Sequence, residues 1–420
     1  MTKAHFRAKV LTAAGGSWPV AAWAKSKCSE FGVQVRRVAK GLELRKGNRA
    51  VVLAAKHAFF APEVARSFDA YAHALPANEV DGVSTVDFAT APEDFNFCKR
   101  TLACGVGVEA KDGGIWLRKD KRAMILAQHH LVYAADIAGM FDTYFEPMVP
   151  EVRDGVEVLD YSQPGKLQTY RSSGLQFEMA SFPEEEEAIE EYFRWYRPKA
   201  GDLVFDMGAH CGVSTYHLSK LVGPTGKVVC FEPDPGNFAI LKRNIERHNL
   251  DNVVVEQAAI AGTSGQLAFN SEGTIGSSLV SLLHRESAGS IAMVEAITLA
   301  EAFERWGPPA FCKIDIEGAE VEVIASSGDL LRKHGTRFAL DTNHPKPNGE
   351  TTGREVETMF RSYGYEAESE AKPFLTTWAR PKQQVLLRGT ELEDVAATEA
   401  AGREDGVGEL ADGAAAPKVR

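Results

Sequence analysis

From residue 202 onward the chain alternates short apolar runs with amphipathic stretches. Leu203-Val-Phe205 leads into Asp206; Gly208 and Gly212 then lead into the mixed run Val213-Ser-Thr-Tyr-His-Leu-Ser-Lys220. That pattern predicts a buried strand, a tight glycine turn and the first turns of a helix. A second apolar run, Lys227-Val-Val-Cys-Phe231, ends in Glu232 and Pro233, and Asn237–His248 sets Phe238, Ile240, Leu241 and Ile245 on one side of a helix. Asn252–Ile260 reads as a third strand, Phe311–Asp315 as a fourth and Arg337–Asp341 as a fifth. Tyr365–Glu368 and Phe374–Ala379 read as a closing hairpin, and Glu184–Tyr196 as a charged helix ahead of the first strand. Strands alternating with helices imply a parallel sheet, whose ligands gather at the carboxyl edge. Asp206, Glu232, Gln257, Asp315 and Asp341 all fall near that edge.

The junction between the first strand and its helix has chemical content. Glycines there let a ligand approach bare backbone and meet the free N–H groups of a helix start. Glu232 stands 20 residues beyond Gly212, where a βαβ nucleotide site places its acceptor for ribose hydroxyls. A dinucleotide fingerprint needs a third glycine and room for a pyrophosphate. Here an acid, Asp206, sits two residues before Gly208. It would repel a pyrophosphate and suits a cofactor carrying an amine, which favours S-adenosylmethionine over NAD.

Three ordered blocks carry a resemblance: Phe205-Asp-Met-Gly-Ala-His-Cys-Gly212, Cys230-Phe-Glu-Pro-Asp-Pro235 and Lys313-Ile-Asp-Ile-Glu-Gly-Ala-Glu320. Over about residues 184–380 the chain resembles the FkbM family of S-adenosylmethionine-dependent methyltransferases. The resemblance implies a class I, Rossmann-like methyltransferase domain and methyl transfer to an oxygen. It implies that Gly208, His210 and Gly212 cradle the cofactor, with His210 near its carboxylate, and that Gln257 and Ala258 approach the adenine. Asp206 would meet the amine and Glu232 the ribose. A hydroxyl acceptor needs a general base; Asp315 is the first candidate and His344 the second. Two departures stand out: Ala300 where members commonly carry Asp, and His210 where many have Asn. Some class I enzymes bind magnesium at comparable positions, which here would be Asp315, Asp341 and Asn343. The signature does not require it, and no metal is expected.

Upstream, residues 41–88 align with 114–161 at a constant offset of 73, with 18 of 48 pairs identical. The matches include Leu44-Arg-Lys46 with Leu117-Arg-Lys119, His57 with His130, and Phe68-Asp-x-Tyr71 with Phe141-Asp-x-Tyr144. A gapless offset reads as a tandem duplication of a small α+β module, each copy strand, turn, strand and helix. The repeated Arg45/Arg118, His57/His130 and Asp69/Asp142 could be two substrate sites. Their simpler role is to satisfy strand and helix ends. The expected domains are therefore 1–100, 101–183, the methyltransferase at 184–385, and a tail at 386–420.

Composition narrows the partners. A net charge of −11 argues against nucleic acid, which needs a basic face. Residues 391–420 hold eight acids, three bases and no aromatic, the composition of a disordered segment. Six cysteines without paired metal spacing fit a reduced, cytoplasmic setting. No apolar stretch is long enough to span a membrane. Lys3, Arg7 and Lys9 ahead of Val10–Ala24 resemble a signal peptide, but Gly15, Gly16 and Pro19 break its apolar core. The expected partner is a small-molecule or glycan acceptor, with a homo-oligomer possible. Two other classes stay open at this point: a non-enzymatic protein that keeps the fold, and an NAD-linked oxidoreductase.

Overall fold

The computed structural model describes residues 18–382, apart from 183–185, 187–188, 275, 283–288, 347 and 372–373. The acidic tail and the basic start therefore lie outside the described residues.

The leader consists of two five-stranded sheets. The first contains β1 (Gln34–Val38), β2 (Gly41–Lys46), β3 (Arg49–Ala54), β4 (Asn78–Val80) and β5 (Val83–Asp87), ordered β1-β2-β3-β5-β4. The second contains β6 (Gly107–Lys111), β7 (Gly114–Lys119), β8 (Arg122–Ala127), β9 (Glu151–Arg153) and β10 (Val156–Tyr161), ordered β6-β7-β8-β10-β9. In both, the third and fifth strands pair parallel and every other neighbour is antiparallel. The offset of 73 also maps β1 onto β6. Each sheet is preceded by a helix, Trp18–Cys28 in one and Pro92–Ala103 in the other.

A hairpin of β11 (Lys166–Thr169) and β12 (Gln176–Met179) leads into the second half. There, β13 (Leu203–Met207), β14 (Lys227–Phe231), β15 (Val253–Glu256), β20 (Phe311–Ile314), β21 (Arg337–Asp341), β22 (Tyr365–Ala371) and β23 (Leu375–Pro381) form one sheet ordered β15-β14-β13-β20-β21-β23-β22. The first five are parallel and β23 runs antiparallel between β21 and β22. This is the class I methyltransferase topology, and its switch point lies between β13 and β20. Val204, Val228 and Phe311 face one side, in an apolar cluster continuous with the leader; Phe205, Val229 and Cys312 face the other. A strand buried on both faces must be apolar throughout, which is why these runs do not alternate.

Three expectations change. The run Asn252–Ile260 is not one strand: β15 stops at Glu256, and β16 (Ala259–Ile260) joins a separate four-stranded sheet with β17 (Gly265–Ser271), β18 (Ser278–Leu279) and β19 (Ser290–Ile297). The chain leaves the main sheet at Gln257–Ala258 because β16 pairs with β19 instead of extending beside β14. The charged segment 184–196 forms a described helix only over Ile189–Tyr192. In each leader module a 3-10 turn and two short helices replace the single expected helix.

Candidate functional site

The glycine turn is built by backbone contact. Gly208 has φ +77°, and a Cβ there would sit 1.7 Å from the Asp315 carbonyl oxygen. Only glycine lets the tips of β13 and β20 come this close. Gly212 has φ +88° and abuts Leu241 of the helix Pro235–Arg247. His210, between them, also lies at positive φ (+47°), unusual for a residue with a side chain. Asp206 is fully buried beneath the turn. Its Oδ2 accepts from Ser214 Oγ (2.8 Å) and Thr215 Oγ1 (2.7 Å), and its Oδ1 lies 3.5 Å from Lys313 Nζ. The carboxylate thus ties the strand to the helix that follows.

Glu232, the second acid, accepts at Oε2 from the His210 amide (2.8 Å) and at Oε1 from the Asp234 amide (2.9 Å). Burial pushes its carboxyl up to about 7, against the pull of His210 and the two amides. Asp234, which sequence reasoning passed over, caps the helix Pro235–Arg247 through the amides of Gly236 and Asn237. Its other oxygen accepts from Ser271 Oγ (2.8 Å), Ser277 Oγ (2.9 Å) and the Gly273 amide (3.2 Å), fastening the 271–277 loop over the site. Asp-Pro at a helix start was the available signal.

Beyond β20 lies a second group of charges. Lys313, buried, donates to the Gly208 carbonyl (2.9 Å) and stands 3.8 Å from Asp315 Oδ2. Glu317 sits at φ +54° and is followed by Gly318 at +102°, so the chain turns sharply enough to present Glu317 beside Asp315. From the loop after β21, His344 Nε2 reaches Asp315 Oδ1 (3.6 Å) and Glu317 Oε1 (3.7 Å), and its Nδ1 lies 3.2 Å from Oε1 of the fully buried Glu320. Burial disfavours a charged ring, but the Glu320 and Glu317 carboxylates outweigh it and hold the His344 pKa well above the ordinary range. Asp341 is pushed up to about 7, first by burial and then by the Asp315 charge.

Several of these groups line a cavity of about 210 Å³ at the carboxyl edge of the sheet. Of the residues singled out from sequence, Gly208, His210, Glu232, Ala258, Asp315, Asp341 and His344 border it. Asp206, Gly212 and Gln257 are not in its wall. The leader also takes part, since Tyr144 of the second module lines the cavity. In that module the Tyr133 hydroxyl donates to the Glu272 carboxylate and lies 3.1 Å from Thr274 Oγ1, while His130 Nε2 is 3.2 Å from the Glu272 carbonyl. In the first module the counterparts of Tyr133 and His130 are Phe60 and His57, which pack with Phe95 in an aromatic cluster. The repeated histidines therefore do not form two equivalent sites. Asp142 pairs with Lys119 and Arg122, and Arg118 with Glu109, all within their own sheet or module. Ala300 is exposed at the start of the helix Leu299–Trp306, behind an intact Thr298–Glu301 capping box, and takes no part in the cavity wall.

A sequence model described as the Methyltransferase FkbM domain matches residues 206–367. No curated protein matches by sequence. Among solved structures, a methyltransferase FkbM from Methylobacillus flagellatus KT is similar at 12% identity, over 79% of this chain and 73% of its own, with a TM-score of 0.34. A SAM-dependent methyltransferase from Aquifex aeolicus shares 14% identity over 47% of this chain and 98% of its own (TM-score 0.28). A SAM-dependent O-methyltransferase from Thermotoga maritima shares 15% over 52% and 78% (TM-score 0.27).

Proposed function

From the match of residues 206–367 to the Methyltransferase FkbM domain, we propose that the chain is a methyltransferase of that family, whose cavity binds S-adenosylmethionine and serves methyl transfer to a hydroxyl of a small molecule or glycan. The observation that carries the reading is Glu232, a buried carboxylate at the tip of β14 that borders the same cavity as the bare backbone of Gly208. A ribose diol would donate to Glu232, and Ala258 offers an apolar surface for the adenine. Asp206, held by Ser214, Thr215 and Lys313, positions the glycine turn.

The cofactor supplies an activated methyl group, so the chain's work is alignment, exclusion of water and removal of one proton. Asp315 is the base we assign. It borders the cavity, and its Oδ2 is turned toward Lys313 Nζ, 3.8 Å away. His344 stands 3.6 Å behind Asp315 Oδ1 as a positioning group, its ring drawn there by the surrounding carboxylates. Tyr144, Ile189, Tyr192 and Phe374 supply apolar surface around the acceptor. The two leader sheets, alike in strand order, are read as copies of one module, the second of which joins the acceptor wall.

Calorimetric titration of the full chain tests the cofactor. S-adenosylmethionine and its demethylated product should bind and NAD should not. Glu232→Gln should weaken binding about 10- to 150-fold, the loss of one charge-assisted hydrogen bond. NAD binding in their place would overturn the assignment. With an acceptor found by comparing methylated metabolites and glycans with and without the gene, Asp315→Asn should keep cofactor affinity and lose on the order of 10²–10⁴ in turnover. Turnover near wild type would leave alignment alone as the mechanism.

A further inference from the structure

We propose that Asp315, Glu317 and His344 form a divalent-cation site in the cavity. One ligand atom from each, all within 4.8 Å of one another, converges from two separate loops, those after β20 and β21. The separations from His344 Nε2, 3.6 Å to Asp315 Oδ1 and 3.7 Å to Glu317 Oε1, are too long for hydrogen bonds. They match the spacing of ligands that each stand about 2.1 Å from a shared ion at a wide angle. All three residues border the cavity, so an ion could enter and keep open coordination positions there.

A separate observation comes from behind the histidine. Glu320 is fully buried; its Oε1 accepts from the Ile316 and Gly318 amides and lies 3.2 Å from His344 Nδ1 as an ion pair, and neither its Oε2 nor that Nδ1 has a hydrogen-bond partner among the described residues. A buried carboxylate against the far nitrogen of an imidazole is the arrangement that orients a metal-ligating histidine, leaving Nε2 for the ion. Asp315, Glu317 and Glu320 around one imidazole also outnumber Lys313, the cation beside Asp315, and a divalent ion would balance the remainder. This differs from the set weighed on sequence grounds. Glu317 and His344 stand where Asp341 and Asn343 were considered, because the left-handed turn at Glu317–Gly318 brings Glu317 round beside Asp315.

One imidazole with two carboxylates suits manganese, iron or zinc better than calcium. Asp315 Oδ1 faces the histidine and Oδ2 faces Lys313, so one oxygen could hold the ion while the other stays available to accept a proton. That an acceptor hydroxyl would complete the coordination, and be acidified by it, rests on the methyl-transfer reading. The cation site itself does not.

The test uses the full chain, stripped with chelator and titrated with manganese(II) chloride while the electron paramagnetic resonance of free Mn²⁺ is followed. Uptake of one ion per chain is expected, weakened at least about 10-fold in Glu317→Gln and in His344→Asn. Absence of saturable uptake of both Mn²⁺ and Zn²⁺, or uptake unchanged in both variants with wild-type melting curves, overturns the site. Should either variant melt early, the wild-type chain is titrated with Co²⁺. A visible ligand-field spectrum that develops to one equivalent supports the site, and a featureless titration rejects it. S-adenosylmethionine is titrated separately into the same protein. Metal uptake without cofactor uptake would keep the site and sink the transfer reading; the reverse outcome would do the opposite.

Discussion

At the scale of single residues, Glu232 makes a pH prediction with a definite sign. Burial raises its carboxyl from an ordinary 4.5 to about 7, so the folded chain resists ionising it. A raised acid favours the fold below its unfolded pKa, and that advantage is lost as pH rises through about 7. A ribose diol needs the ionised form, so cofactor affinity should run the other way. It should climb about 10-fold between pH 6 and 8, with proton release visible as a buffer-dependent binding enthalpy. Glu232→Gln should abolish both trends, and a flat affinity profile in the wild type would mean that Glu232 is not the ribose acceptor. Glu232 was legible in the sequence because a strand tip exposes its acid to whatever lies at the sheet edge. The partners of Asp206 were not legible: Ser214 and Thr215, eight and nine residues on, look like ordinary helix residues until the turn folds them onto the carboxylate. The grouping of Glu317 with His344 could not be read at all, since it depends on a positive φ at a non-glycine residue.

At the scale of elements, the parallel strands β13, β14, β20 and β21 were readable because burial on both faces leaves an uninterrupted apolar run. The sheet of β16 to β19 was not. β19 alternates, with Ile291 and Met293 exposed and Val294 buried, and β16 has only two residues, too few for a periodic signal. The contact between the second leader module and the 271–277 loop was equally hidden, because it spans about 140 residues of sequence and uses one histidine and one tyrosine. It predicts an acid-sensitive clamp. His130 is pushed down to about 4, first by burial and then by His129, against the opposing pull of the Glu272 carbonyl and carboxylate. A base with a lowered folded pKa favours the fold above about 6.5 and loses that contribution as pH falls toward 4, a difference of about 3 kcal/mol. The protection of the Gly273 and Thr274 amides, relative to their intrinsic exchange rates at each pH, should therefore fall between pH 6.5 and 4 in the wild type. Tyr133→Phe should already exchange faster at pH 7, where His130 is neutral. Protection unchanged across that range would mean that Asp234 alone holds the loop.

At the scale of the whole molecule, the two leader modules are less separable than their repeat suggests. The sequence match begins at residue 41, but the matching strands begin earlier, at β1 and β6, where pairing persists although few side chains agree. Carried back by the same offset of 73, Pro92–Ala103 stands to the second sheet as Trp18–Cys28 stands to the first. Yet Phe95 of that helix is fully buried in the first module, with its ring centroid 5.6 Å from those of Tyr71 and Phe88 and 4.7 Å from that of His57. One apolar cluster runs from both modules to Val204, Phe311 and Trp378 under the methyltransferase sheet. Two truncations separate the possibilities. A chain of residues 90–420 keeps the helix that covers the second sheet; a chain of residues 101–420 loses most of it, and with it the buried Phe95 and Cys98. The longer chain should fold and bind S-adenosylmethionine with near wild-type affinity, because the glycine turn and Glu232 lie far beyond the cut. The shorter one should melt several degrees lower, since uncovering a core face costs as much as losing a large buried side chain, about 3–5 kcal/mol. Its 271–277 loop should also exchange freely, because the clamp stands on the uncovered module. Equal melting temperatures would assign the helix to the first module alone. Loss of folding in both chains would mean that the two leader sheets and the seven-stranded sheet share one indivisible core.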